Sequence, residues 1–178
     1  MESKFPNILI TGTPGTGKTT LSRLLEDQLS QEYPGKFTLI GLSKMIVDQM
    51  LFKNWNKDFD VPEFDEDMVC DALEPRIQQG GLIIDFHSCG FFPRDWFDII
   101  ILLRATNTNI YDRLIERGFP EKKITENIEA EIFNVVHDEV YESFDPSIII
   151  SQNSNTVDEM QANLEQALQI IRQKIISC

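Results

Sequence analysis

The stretch from residue 7 to residue 26, NILITGTPGTGKTTLSRLLE, leaves this chain few folds to choose from. A short apolar run, Ile8-Leu9-Ile10, passes through Thr11 into Gly12-Thr13-Pro14-Gly15-Thr16-Gly17-Lys18-Thr19. That octet matches G-x-x-x-x-G-K-[ST] without a gap. Behind it, Leu21, Leu24, Leu25 and Leu29 form one apolar stripe at helical spacing. Strand, glycine-rich bend and helix, in that order, make an anion cradle. The glycines reach backbone angles that other residues resist, so successive N–H groups can turn inward on an anion. A helix starting near Lys18 adds its positive end beneath the same anion. Lys18 can reach the β and γ oxygens of a bound triphosphate, the Thr19 hydroxyl can ligate Mg²⁺, and Thr20 is a further phosphate contact. The ATP-binding candidates here are Gly12, Gly15, Thr16, Gly17, Lys18, Thr19 and Thr20.

Four more apolar runs follow: Phe37 to Ile40, Leu82 to Ile84, Ile99 to Leu103 and Ile148 to Ile150. Each is continuous rather than alternating, as expected for strands buried on both faces of a parallel sheet. Helical periodicity fills the gaps, and Val157, Met160, Leu164, Leu168, Ile171 and Ile175 predict a C-terminal helix packed on the sheet. This alternation implies βαβ units with right-handed crossovers, hence a doubly wound three-layer α/β/α domain on a five-stranded parallel sheet. Residues 53–67, KNWNKDFDVPEFDED, read as the most loop-like segment. Asp65 or a neighbour is expected to cap the next helix, with Val69, Leu73 and Ile77 on its buried face. Pro75 should kink that helix or push its start later, and Gly80-Gly81 should end it.

At 178 residues the chain fits one domain with a substantial core. Sixteen basic residues against 29 acidic ones give a net charge of −13. Such a field opposes direct nucleic-acid binding, which depends on neutralising phosphates. It serves solubility, or suits a basic protein partner. No apolar run approaches the ~20 residues of a membrane-spanning helix, and MESKFPN lacks the features of a signal peptide. Cys70, Cys89 and Cys178 are scattered, which argues against a disulfide framework or structural zinc site. A reducing compartment, cytosol or nucleus, is the expected setting.

A second set of site residues is expected at a neighbouring strand end, because ligands bind at the carboxyl edge of such sheets. GLIIDFHSC supplies it: Asp85 is placed to help hold Mg²⁺, and His87 projects the same way two residues on. His87 can position water or an acceptor phosphate, or be a structural histidine at a strand end. A GTPase switch would want D-x-x-G here, and Asp85-Phe86-His87-Ser88 has no glycine in the fourth place. Asn56-Lys57-Asp58-Phe59 likewise fails the guanine motif N-K-x-D. Further on, Arg113 and Arg117 stand four apart on one predicted helix, before the break Gly118-Phe119-Pro120 and then Lys122-Lys123. This reads as a short basic flap able to close over phosphates, although Arg113 could instead pair with a surface acid. Arg104 is a weaker candidate at the end of its strand.

Taken together, PNILITGTPGTGKTT, IIDFHSCGFFPRDWFD, TNTNIYDRLIERGFPEKKITENIEAEIF and FDVPEFDED resemble the adenylate kinase isoenzyme 6 family, also described as coilin-interacting nuclear ATPases. The resemblance covers nearly the whole chain, and D-x-H-x-C followed by F-F-P-x-x-W-F is its most specific part. It implies a small P-loop NTPase fold of the nucleoside monophosphate kinase type, with an AMP-binding segment at about 38–63 and a short lid at about 116–126. It implies the reaction ATP + AMP to two ADP, with ATPase activity beside it, Mg²⁺ as cofactor, and residence in nucleus and cytoplasm. Lys18, Arg117, Asp85 and His87 become the catalytic candidates, Thr19 and Asp85 the metal pair, and Arg117 the ATP contact from the lid, with Arg113 a further ATP-binding candidate beside it. The alternative it carries is an ATPase that assists small ribosomal subunit maturation through a basic ribosomal protein. Two departures stand out. Lys44 and Met45 occupy the place where an arginine is expected early in the AMP segment, and Lys44 supplies charge without the bidentate fork. SQNSNT replaces a basic residue after the last strand, so only its backbone could contact adenine.

Overall fold

The computed structural model describes residues 5–177, so Met1–Lys4 and Cys178 lie outside the described residues. Strands β1 (Ile8–Thr11), β2 (Thr38–Gly41), β5 (Leu82–Asp85), β6 (Ile99–Arg104) and β7 (Ile149–Asn153) form a five-stranded sheet in the order β2-β5-β1-β6-β7. Every pairing in it is parallel, with Ile8 opposite Ile83 on one side and Ile99 on the other. Side chains alternate across such a sheet, and here both faces receive apolar residues. Ile8 and Ile10 pack with Leu21, Leu25 and Leu29 of α1 (Lys18–Glu32) and Leu164, Leu168 and Ile171 of α7 (Val157–Ser177). Leu9 points the other way, into a core with Val69, Leu73 and Ile77 of α3 (Glu66–Gln79) and Val136 and Val140 of α6 (Val135–Ser143). Continuous apolar strands are therefore what a sheet covered on both sides requires.

Because all five strands run the same way, their carboxyl ends gather on one edge. The loops that leave Thr11, Asp85, Arg104 and Asn153 all start there. α4 (Asn107–Glu116) and α5 (Glu121–Ile132) form a helical hairpin over this edge, with its own small core of Ala105, Ile110, Leu114 and Ile124. α2 (Leu42–Asp48) follows β2. No helix among the described residues is long and apolar enough to cross a membrane.

Four expectations need correction. Residues 53–67 are not merely loop: β3 (Phe52–Asn56) and β4 (Val61–Phe64) pair antiparallel in a separate two-stranded hairpin. Its turn is held by Asn56 Oδ1, which accepts from Asp58 N–H at 3.0 Å, and by Trp55 Nε1, which donates to Asp60 at 2.9 Å. Pro75 does not delay α3: Asp65 accepts from Met68 N–H at 3.0 Å and sets the start, and the helix continues through Pro75 to Gly80. One missing N–H is outweighed by the buried face of Val69, Leu73 and Ile77. Val157 leaves the apolar stripe, since it opens α7 and is 86% exposed. Lastly, β7 runs on through Ser151–Asn153, so only Ser154–Thr156 of SQNSNT is loop.

Candidate active site

The loop between β1 and α1 has the shape its glycines demand. Gly12 has φ 150°, and a Cβ there would lie 2.5 Å from the Leu103 carbonyl oxygen. Gly17 caps α1 with φ 93°, a left-handed angle that avoids strain only without a side chain. Thr16 is fully buried, and both its N–H (3.2 Å) and its hydroxyl (2.7 Å) donate to the Thr13 carbonyl. Gly12 and Thr16 thus shape the loop from within, while Gly15, Gly17, Lys18, Thr19 and Thr20 line the cleft above it.

Lys18 is half-buried and folds back on the loop, donating to the carbonyls of Gly12 (2.8 Å) and Thr13 (3.3 Å). Burial pushes its ammonium down to about 8; the Asp85 carboxylate opposes this, the Arg117 guanidinium adds to it, and Glu131 opposes it. A bound triphosphate would reverse much of that depression by supplying the missing negative charge. The Thr19 hydroxyl donates to Asp85 Oδ2 at 2.8 Å, which joins the first turn of α1 to the end of β5. These are hard oxygen donors of the kind Mg²⁺ takes, and two suit an ion that draws its remaining ligands from phosphates and water. No cluster of three His, Cys, Asp or Glu that could hold a metal ion stands among the described residues.

His87 stands two residues beyond Asp85, its ring against Phe86 with centroids 4.5 Å apart. His87 is exposed on the cleft that it lines, while its ring rests on buried Phe86. Burial first, then the Lys18 cation, push it down to about 4; Glu139 opposes this and Lys123 adds to it. At neutral pH His87 is therefore an uncharged imidazole, a weak base suited to orienting a water or an acceptor by hydrogen bonding. Neither described cysteine offers a thiolate: burial raises the Cys89 thiol far above its ordinary value and lifts Cys70 to about 11.

The basic residues divide by how they are held. Arg113 donates to the Gly15 carbonyl at 3.0 Å and the Ser154 carbonyl at 2.7 Å, so it ties α4 to the phosphate loop and to the loop after β7. Arg117 closes α4, exposed, with its guanidinium 5.0 Å from the Phe119 ring centre. Lys123 Nζ sits over the same ring at 4.6 Å, and Lys122 Nζ lies 4.6 Å from Phe59 at the tip of the β3–β4 hairpin. Lys44 is exposed and ion-paired with Asp48 on its own helix. Arg104 is taken up by Glu131, which also receives the Thr13 hydroxyl at 2.6 Å.

The cleft between these parts encloses about 1630 Å³ and is lined by the phosphate loop, Asp85, His87, Arg113, Arg117, Lys123, and the aromatic wall of Trp55, Phe59 and Phe64. That exceeds a usual single-ligand pocket of about 300–1,000 Å³. Sequence reading missed Glu131, Glu139 and the aromatic wall. Glu131 and Glu139 look like any acid on a polar helix, and Trp55 and Phe59 sit in the segment read as loop.

A model of the AAA domain family matches residues 8–134. The chain is 38% identical over 168 residues to an adenylate kinase isoenzyme 6 homolog of Schizosaccharomyces pombe, covering 94% of this chain and 93% of that one. It is 36% identical over 167 residues to the Caenorhabditis elegans homolog, covering 93% and 88%. The chain belongs to the adenylate kinase isoenzyme 6 family. Among solved structures, shikimate kinase from Bacteroides thetaiotaomicron superposes with a TM-score of 0.63 at 14% identity, covering 94% of this chain and 98% of that one. Shikimate kinase from Acinetobacter baumannii gives 0.59 at 16% identity, covering 96% and 95%. At that identity the likeness concerns the fold, a P-loop kinase fold.

Proposed function

We propose that this protein is an ATP-dependent nucleoside monophosphate kinase that transfers the γ-phosphoryl group of ATP to AMP, giving two ADP. The observation that carries the reading is the convergence of Lys18, the Thr19–Asp85 pair and the cations Arg117 and Lys123 on one cleft. In the transfer, the bond from the γ-phosphorus to the bridging oxygen breaks as an AMP phosphate oxygen bonds to that phosphorus. No covalent intermediate with the protein is needed, so catalysis rests on positioning and charge. Lys18 exchanges the carbonyls of Gly12 and Thr13 for the β and γ oxygens. Thr19 and Asp85 would hold Mg²⁺, which supplies neutralising charge at those oxygens when bound. Arg117 and Lys123 close from the α4–α5 turn, where Phe119 now holds them, and exclude water from the reacting phosphoryl group. His87, neutral at pH 7, orients the attacking group without taking its proton.

A second reading has its own support. Lys44, the cation at the start of the acceptor segment, is engaged with Asp48, and Met45 beside it is buried. Weak AMP binding would leave water as acceptor and make the chain an ATPase serving assembly of a basic partner, such as a small-subunit ribosomal protein in nucleus or cytoplasm. Product analysis with Mg-ATP, with and without AMP, separates the two. ADP formed only with AMP, with little free phosphate, is the expected result; free phosphate released equally without AMP would replace the kinase by the ATPase.

A further inference from the structure

α6 does not line the cleft, yet one of its side chains ends in the loop that carries His87. Glu139 is half-buried, and its Oε1 accepts three hydrogen bonds: from the Ser88 hydroxyl at 2.9 Å, the Cys89 N–H at 3.0 Å and the Gly90 N–H at 2.7 Å. Donors from three consecutive residues on one carboxylate oxygen form an anion nest, which dictates the direction of the backbone that makes it. Gly90 fits this approach, since a Cβ there would stand 3.0 Å from the same oxygen. On the preceding side, the N–H of buried Phe86 donates to the Ile10 carbonyl at 3.1 Å. His87 is thus the residue between two anchors, the sheet before it and a carboxylate after it.

We propose that Glu139 is a positioning residue of this site: by clamping Ser88, Cys89 and Gly90 it fixes the direction in which His87 enters the cleft. The proposal rests on reading His87 as a site residue. A neutral acceptor oxygen at the same place could make the same hydrogen bonds. The arrangement has a counterpart one helix earlier, where α5 sends Glu131 to Thr13 of the phosphate loop. Consecutive helices joined at Asn134, itself left-handed at φ 56°, thus each brace one of the two loops that build the site. A carboxylate that only stabilised the fold would have no reason to act on turnover separately from affinity.

The test uses the full chain and its Glu139→Ala, Glu139→Gln, Ser88→Ala and His87→Ala variants. Hydrogen exchange of the Cys89 and Gly90 amides reports the clamp, and the imidazole Cε1–Hε1 NMR cross-peak of His87 reports the ring. His137, on α6 itself, is the internal control for the helix. In Glu139→Ala both amides should exchange roughly tenfold faster or more, and the His87 cross-peak should move while that of His137 stays. Turnover should then fall by about 10- to 100-fold with the KM for ATP nearly unchanged, as misplacement of a site group does. Glu139→Gln, which keeps an acceptor oxygen, should recover most of the protection and turnover. Unchanged amides, cross-peak and turnover in Glu139→Ala would overturn the proposal, even with a lower melting temperature. Should that variant fail to fold, Ser88→Ala decides: a moved His87 cross-peak with reduced turnover supports the clamp, and an unmoved one with full turnover overturns it. If His87→Ala turns over normally while Glu139→Ala still moves the His87 signal, the clamp stands and the catalytic reading of His87 falls.

Discussion

The hydroxyl of Thr19 and the carboxylate of Asp85 meet at 2.8 Å, although 66 residues separate them in the chain. Neighbouring parallel strands make the meeting possible: β1 and β5 pair with Ile10 opposite Asp85, so their carboxyl ends open on the same edge. Asp85→Asn keeps a hydrogen-bond acceptor for Thr19 but removes the charge. Turnover should fall by about 10²–10³-fold, the usual cost of losing one oriented electrostatic group, and the loss should shrink at high Mg²⁺. Metal-free ATP affinity, read by calorimetry in EDTA, should stay within about twofold of the native protein on the same reasoning. A large loss of metal-free affinity would mean that Asp85 acts on the nucleotide and not through the metal.

Lys18 predicts an alkaline limb. Its ammonium in the free protein titrates at about 8, so it is charged below that pH and neutral above it. kcat/KM for ATP, which reports the free enzyme, should therefore decline as pH rises through about 8. Bound phosphates favour the charged form, so kcat should hold to a higher pH than kcat/KM. His87, at about 4, should add no inflection near neutrality. A kcat/KM that stays flat well above pH 8 would remove Lys18 from ATP recognition or place its proton elsewhere.

Arg113 and Arg117 read alike in the sequence and are held differently in the structure. Arg113 bridges the carbonyls of Gly15 and Ser154, whereas Arg117 is exposed against Phe119. Arg113→Ala should therefore lower the melting temperature and ATP affinity together, because it strips two carbonyls of their donor. Arg117→Ala should leave the melting temperature unchanged and reduce turnover by about 10²-fold or more, as removal of a transition-state cation does. Equal thermal losses in both variants would contradict this division of labour.

The sheet and the phosphate loop are legible from the sequence because their causes are local. Ile8 to Ile10 or Ile99 to Leu103 must be apolar throughout when both faces are covered, and the loop motif is contiguous. The β3–β4 hairpin is not legible, because Lys53, Asn54 and Glu63 face solvent and only Asn56 and Asp60 shape the turn. Glu131 and Glu139 are hidden for a different reason. Their partners Thr13 and Cys89 lie 118 and 50 residues away, and on a helix of acids nothing local distinguishes a buried carboxylate from a solvated one. Val157 shows the converse error, an apolar residue at stripe spacing that the helix start leaves in solvent.

Glu131 gives the last prediction, and it separates fold from chemistry. The carboxylate is 7% exposed and accepts from both Thr13 and Arg104, while Arg104 also donates to Asn134 Oδ1 at 2.8 Å. Glu131→Ala would leave the buried Thr13 hydroxyl without its acceptor and the partly exposed Arg104 guanidinium without its carboxylate, which costs about 1–3 kcal/mol because desolvated donors lose their acceptor. For a chain of this size that corresponds to a melting temperature lower by about 2–4 °C per kcal/mol. The double variant Glu131→Ala with Arg104→Met removes the stranded charge and should recover part of the loss, since breaking a pair costs more than replacing it. Phosphate-loop order should not recover with it, because Thr13 still lacks its acceptor, so ATP affinity stays reduced in both variants. Full recovery of affinity in the double variant would show that Glu131 serves Arg104 alone and does not brace the phosphate loop.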